Sequence, residues 1–174
     1  MSNSIFHFRV LVDQAEEVFR DIEIKSSDTF EDLHLAIVKA FEFSGDEIAS
    51  FYMSDEDWNK GEEITQMDME GMGDESIKTM KDTPLHEMVI DQGQKLLYLY
   101  DFMRMWIFFV ELVSISKPEA DQTYPLVILM VGDAPNESSK ELVESFQIDF
   151  DGDFDDDFEE EEGFENIDDY DEII

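Results

Sequence analysis

Two stretches of this chain carry residue types that do chemistry. The first is Tyr98, Tyr100, Asp101 and Trp106, three rings and a carboxylate within nine residues. Aromatic faces beside one anion suit the orientation of a small ligand in a concave site, which would make the chain a ligand binder or an enzyme. The same set equally suits an ordinary hairpin core with an aspartate in its turn, and that is the favoured reading. The second stretch is Asp149 to Ile174, with fifteen Asp or Glu and no Lys or Arg, yet with Phe150, Phe154, Phe158, Phe164 and Tyr170 spaced through it. Like charge at that density opposes packing, so a disordered, solvated tail is expected, its rings left available for contact. The last four residues, Asp171-Glu172-Ile173-Ile174, run acidic then apolar and make a docking tip. The partner-binding candidates are therefore the five rings together with Ile173 and Ile174.

Other constellations are weaker. Asp149, Asp151 and Asp153 imitate the opening ligands of a calcium loop, and Glu160 falls at the twelfth position, but Phe154 stands where the sharp turn needs Gly. Weak condensation of divalent cations on the tail is the expectation, not a metal site. Phe146, Phe150, Phe154 and Phe158 recur every four residues. A helix would align them, but only on a basic groove that neutralises the intervening carboxylates. Asp153-Phe154-Asp155-Asp156-Asp157-Phe158 resembles the acidic, aromatic tips with which bacterial single-stranded-DNA-binding proteins recruit partners, although those work at a free C-terminus. His7, His34 and His86 share no spacing, so they are read as surface or core residues and not as a metal or general-base set. Met67, Met69 and Met72 are read as gap fillers ahead of a pliable binding face.

The formal net charge is −35; removing the fifteen tail acids leaves −20 on residues 1–148, so the body is acidic in its own right. Direct binding of nucleic acid is not expected, because counterion release needs clustered Lys and Arg, and the eleven here are scattered from Arg9 to Lys140. A basic protein partner is expected instead; a DNA mimic, its carboxylates imitating phosphates, is a third reading. The absence of cysteine removes disulfides, thiolate zinc sites, Cys nucleophiles and thiol redox chemistry. No nucleophile elbow, phosphate-cradling Gly loop or zinc-protease helix is found, so neither catalytic residues nor a cofactor are expected. The N-terminus lacks a cationic start and an apolar run, which makes the cytoplasm the default location. Leu96 to Val113 has the length of a membrane span, but Asp101, Arg104 and Glu111 interrupt it, each costing about 2.5–3.5 kcal/mol near a bilayer centre. Two buried strands joined by a tight turn fit better.

The elements that would position these groups follow from periodicity. Phe6, Phe8, Val10 and Val12 alternate with polar residues in Ile5 to Val12, and Val18 to Ile24 repeats the pattern, with a short polar link that predicts an antiparallel hairpin. Thr29 and Asp32 form a near capping box before a helix whose stripe is Phe30, Leu33, Ile37, Ala40 and Phe41, with Gly45 at the exit. Hairpin then helix is the β-grasp order. Further strands are predicted at Ile48 to Met53, Ile64 to Met69, Lys95 to Tyr100, Trp106 to Ile115 and Tyr124 to Val131. A short helix capped by Thr83-Pro84 is expected through Met88 to Ile90, and an amphipathic helix over Asn136 to Gln147 docks Leu142, Val143 and Phe146 on the body.

Thr29-Phe30-Glu31-Asp32-Leu33-His34 and Leu97-Tyr98-Leu99-Tyr100-Asp101-Phe102 with Trp106, together with the hairpin and Tyr124-Pro125, resemble the plasmid pRiA4b ORF-3-like family over about residues 5–135. Some of its members are described as passengers of insertion elements. The resemblance implies the fold, not a reaction. Met103-Arg104 stand where the family usually has Gly-Asp, and Ile107-Phe108 where a basic residue and His commonly follow the Trp, so the polar groups relatives would carry there are absent. The expected architecture is an α+β domain with a β-grasp-like start and a mixed or antiparallel sheet over residues 1–135. A docking helix over 136–148 and an acidic, disordered tail over 149–174 follow. The expected role is non-enzymatic docking on a basic protein, with a mobile-element accessory as an alternative.

Overall fold

The alternation in the first segment produces strand β1, Ile5–Val12, and β2, Phe19–Lys25, returns antiparallel to it with Phe8 opposite Ile22 and Arg9 opposite Asp21. The computed structural model describes residues 3–66 and 77–142. These lie in the first of two units, Met1–Val143; the second, Glu144–Ile174, falls outside the described residues.

Helix α1, Phe30–Ala40, starts at a complete capping box: the Asp32 amide donates to Thr29 Oγ1 at 3.2 Å and the Thr29 amide donates to Asp32 Oδ2 at 3.0 Å. Two otherwise unpaired amides are thereby satisfied. Its apolar stripe is fully used, since Phe30, Leu33, Ile37 and Phe41 are all buried. Burial of each such side chain contributes about 1.5–3 kcal/mol, and the rings interlock, with Phe30 against Phe51 at 5.2 Å and Phe41 against Phe108 at 5.0 Å.

The remaining elements are β3, Ala49–Ser54; β4, Lys60–Thr65; β5, Lys78–Thr79; a 3₁₀ turn, Met80–Asp82; α2, Leu85–Met88; β6, Lys95–Tyr100; β7, Trp106–Ser116; and β8, Leu126–Val131. One sheet joins all eight strands in the order β5-β4-β3-β6-β7-β1-β2-β8. It is mixed: β4 and β5 pair parallel and the other pairs antiparallel. The expected α+β class holds. The segment with membrane-span length is the central β6–β7 hairpin, and no helix among the described residues is long and apolar enough to cross a membrane.

Three expectations need correcting. The strand predicted at Ile64 to Met69 begins earlier and ends at Thr65, and Met67, Met69 and Met72 lie outside the described residues. The cap expected from Thr83 is not formed: Pro84 holds the N-cap position of α2 with no side-chain cap bond, the helix ends at Met88 and not at Ile90, and the Thr83 carbonyl accepts from the Phe30 amide at 3.1 Å, tying the entry of α2 to the start of α1. No helix forms over residues 136–142. The Asn136 side chain instead accepts from the Ser138 amide at 2.8 Å, and its carbonyl accepts from Ser139 at 2.9 Å, so local side-chain bonding wins over helix there. The rest of that predicted helix, with Val143 and Phe146, lies outside the described residues.

Candidate functional site

The β6–β7 hairpin brings its four candidate side chains to one region of the fold, and their polar atoms are hydrogen-bonded by the chain itself, except Asp101 Oδ2, which is buried without a hydrogen bond. Tyr98 is buried between Phe51 and Phe108, and its hydroxyl lies 2.6 Å from His34 Nδ1. Burial pushes the Tyr98 phenol well above its ordinary range and pushes His34 down to about 4, so both are neutral near pH 7. Asp101 builds the turn. Its Oδ1 accepts from the Met103 and Arg104 amides at 3.0 and 3.2 Å, while Arg104 Nη1 lies 3.6 Å from Oδ2. The backbone is left-handed at Asp101 (φ 67°), a conformation that Asp tolerates better than most residues.

Tyr100 and Trp106 are clasped by the segment after β8. Glu137 Oε2 accepts from the Tyr100 hydroxyl at 2.8 Å and from Ser44 Oγ at 3.0 Å, Oε1 accepts from the Ser44 amide at 2.7 Å, and the Glu137 carbonyl accepts from Trp106 Nε1 at 3.0 Å. Arg104 Nε donates to the Lys140 carbonyl at 3.0 Å, and Lys140 Nζ donates to the Met105 carbonyl at 2.7 Å while sitting 5.3 Å from the centre of the Trp106 ring. Docking of residues 136–140 is thus polar, not apolar, and Leu142 remains exposed. Burial acts to raise the Glu137 carboxyl, but its hydrogen bonds from Ser44 and Tyr100, with Arg104 nearby, outweigh burial and hold it below the usual range. Replacing Glu137 with Ala removes three charge-assisted bonds from a half-buried group. A loss of about 1–2 kcal/mol is expected, together with a red shift of Trp106 emission as its partner and Lys140 withdraw; unchanged emission and stability would show that the clasp contributes nothing.

Elsewhere, His7 Nε2 and Arg9 bind the same carboxylate, that of Asp21, at 2.8 Å from His7 and at 2.8 and 2.9 Å from Arg9. Asp21 is 2 % exposed; burial alone would raise it, but the bonds from Arg9 and His7 prevail and lower it. His86 lies in α2, so the structure does not bring the three histidines together. Among the described residues, no group of three His, Asp or Glu side chains is arranged to hold a metal ion. Two open hollows, of about 680 Å³ beside Glu16, Glu17 and Asp133 and about 570 Å³ beside Asp55, Asp91 and Lys95, are not lined by Tyr98, Tyr100, Asp101 or Trp106. At the sheet's edge β8 exposes Val127, Ile128, Leu129 and Met130, between 37 % and 64 % of each. The tail candidates, Phe150 to Ile174, lie outside the described residues.

A family model, described as plasmid pRiA4b ORF-3-like protein, matches residues 4–169. The chain belongs to the pRiA4b ORF-3-like family. The match reaches well past residue 135, where the resemblance in sequence was expected to stop, and takes in most of the acidic tail. No curated protein matches. A crystal structure of a protein of unknown function from Methanosarcina mazei Go1 shares the fold, with a TM-score of 0.67, 20 % identity, and coverage of 81 % of this chain and 76 % of that one. As a pRiA4b ORF-3-like protein, the chain thus has a shown fold and family, and neither comparison carries a reaction.

The burial of Arg20 was not read from the sequence, and His34 was read only as a surface or core histidine, although a signal for each was present. Arg20 shares the parity of Val18, Ile22 and Ile24 on β2 and sits 3 % exposed. His34 falls on the stripe of α1, four residues after Phe30. A polar residue at an apolar register position marks a buried network.

Proposed function

We propose that this pRiA4b ORF-3-like protein is a non-enzymatic, intracellular interaction protein that docks on a basic protein partner. The observation that carries the reading is charge. Against a formal −35, most of the few cations are held by the chain's own groups: Arg9 by Asp21, Arg20 by backbone carbonyls, Arg104 and Lys140 in the clasp, Lys60 and Lys95 over the Tyr52 and Trp58 rings, and Lys78 beside Glu87. The field outside is negative, which steers a basic partner and repels nucleic acid. In this proposal Phe150, Phe154, Phe158, Phe164, Tyr170, Ile173 and Ile174 supply short-range contacts and the acidic body supplies the attraction.

The test is capture from native cytosol with the full chain and with a version ending at Gln147, at low and moderate salt. Partners of basic character that are lost as salt rises support the reading, and their loss with the tail assigns the contacts to it. Capture that is indifferent to salt would overturn it.

A further inference from the structure

The edge strand β8 has a composition that edges normally avoid. Its sequence, Leu-Val-Ile-Leu-Met-Val, contains no charge and no proline, and among the described residues only β2 pairs with it. Proteins usually blunt such an edge with Lys, Pro or cover, because unpaired amides and carbonyls recruit further strands. A register shift between Asp21 and Ile22 leaves Ile128 without an opposite residue, a bulge that bends the strand, but β8 itself contributes no charged residue to it. Both faces of the strand are partly open: Met130 at 64 % and Val127 at 37 %, opposite Arg20 and Ile22, are exposed on one, Leu129 at 42 %, opposite Asp21, on the other, and Ile128 at 43 % in the bulge between them. At the C-terminal end of the strand, Gly132 and Asp133 run into the hollow of about 680 Å³ that Glu16 and Glu17 also line.

We propose that β8 accepts an extended segment of the basic partner as a ninth, antiparallel strand, apolar along its length and carrying Lys or Arg at its amino-terminal end. This rests on the reading above and names the partner's chemistry. Antiparallel addition sets the amino end of the incoming strand beside the C-terminal end of β8, where Glu16, Glu17 and Asp133 receive its cations. Charge selects this occupant over two others. A second copy would bring together two bodies of −20 each, and the chain's own C-terminal stretch would set fifteen acids against an acidic hollow.

The test uses the full chain and four synthetic peptides of about twelve residues, compared for affinity and for amide exchange of Leu126 to Val131. The first has two lysines at its amino end followed by alternating Val and Leu. The second is the same peptide N-methylated at alternate amides, the third carries the lysines at its carboxyl end, and the fourth is a Gly/Ser peptide with the same lysines. The first is expected to bind at least about tenfold more tightly than each of the others and to slow exchange in β8. A double variant, Ile128→Lys with Met130→Lys, exposed enough to fold normally, should weaken it by a similar factor. Equal affinity for the first, second and fourth peptides would overturn strand addition while leaving basic docking in place. Failure of every peptide to bind would overturn it too, and the salt dependence of capture then tells whether basic docking falls with it. Protection of the β8 amides in the free protein to the level of β2 would mean that a second copy or the chain itself already covers the edge, and would equally overturn the proposal.

Discussion

Between pH 7.5 and pH 5 the protein is expected to lose about 2 kcal/mol of stability that a His34→Gln variant does not lose. The folded chain buries His34 beside Tyr98 and holds it neutral down to about 4, whereas in the unfolded chain the imidazole takes a proton near its ordinary value of 6.5. Between those values the unfolded state binds more protons than the folded state, so stability rises with pH there. The contribution of the neutral His34 is complete above 6.5, diminishes as pH falls and is lost at about 4, on the order of 3 kcal/mol in all. Asp21 and Glu137 act lower on the scale. Their folded values are depressed, so their contributions are present above the ordinary carboxylate range and vanish as pH falls through the folded values. Urea denaturation of both proteins at the two pH values separates the effects, because the variant keeps an amide able to bond Tyr98 but has no proton to gain. Parallel losses in the two proteins would show that His34 is not held neutral by the fold.

Arg20→Met is expected to cost about 2–4 kcal/mol. The Arg20 guanidinium reaches the carbonyls of Ala40 at 3.1 Å, Phe19 at 3.0 Å, and Val131 and Gly132 at 3.1 Å each, and lies 5.1 Å from the centre of the Phe41 ring. One planar fork thus ties the C-terminal end of α1, where the helix dipole is negative, to β2 and to the exit from β8. Met fills much of the space but donates nothing, leaving buried carbonyls without their donor. Arg20→Lys should recover only part of the loss, since a single ammonium cannot span all four acceptors. A change under about 0.5 kcal/mol for Arg20→Met, by denaturant titration, would mean that water replaces the guanidinium at no cost.

The elements that proved legible are those in which one period dominates. Phe6, Phe8, Val10 and Val12 alternate cleanly and give β1, and Thr29 with Asp32 placed the start of α1 at the observed cap. Short elements held by distant pairing were not legible: β5 is two residues and exists through its parallel neighbour β4, which no local pattern announces. Residues 136–140 misled because Leu142 and Val143 suggested an apolar helix, whereas the docking is carried by Glu137 and Lys140 reaching groups about 31 to 37 positions earlier. Tyr98, Tyr100, Asp101 and Trp106 were picked out together and lie along the β6–β7 hairpin; Asp101 is bonded by the local turn amides of Met103 and Arg104, but the partners of Tyr98, Tyr100 and Trp106 are His34, Ser44 and Glu137, and long-range partners of that kind leave no spacing to read. The exposure of β8 was hidden for a related reason: six apolar residues in a row look like a central strand, and only the sheet order places them at an edge.

The measurement that tests the central claim most directly is the affinity of the full chain for its captured basic partner as a function of salt. Docking driven by the acidic surface predicts that affinity falls at least about tenfold between roughly 50 and 300 mM NaCl, mostly through a slower association rate. An affinity and an association rate that stay flat across that range would contradict it.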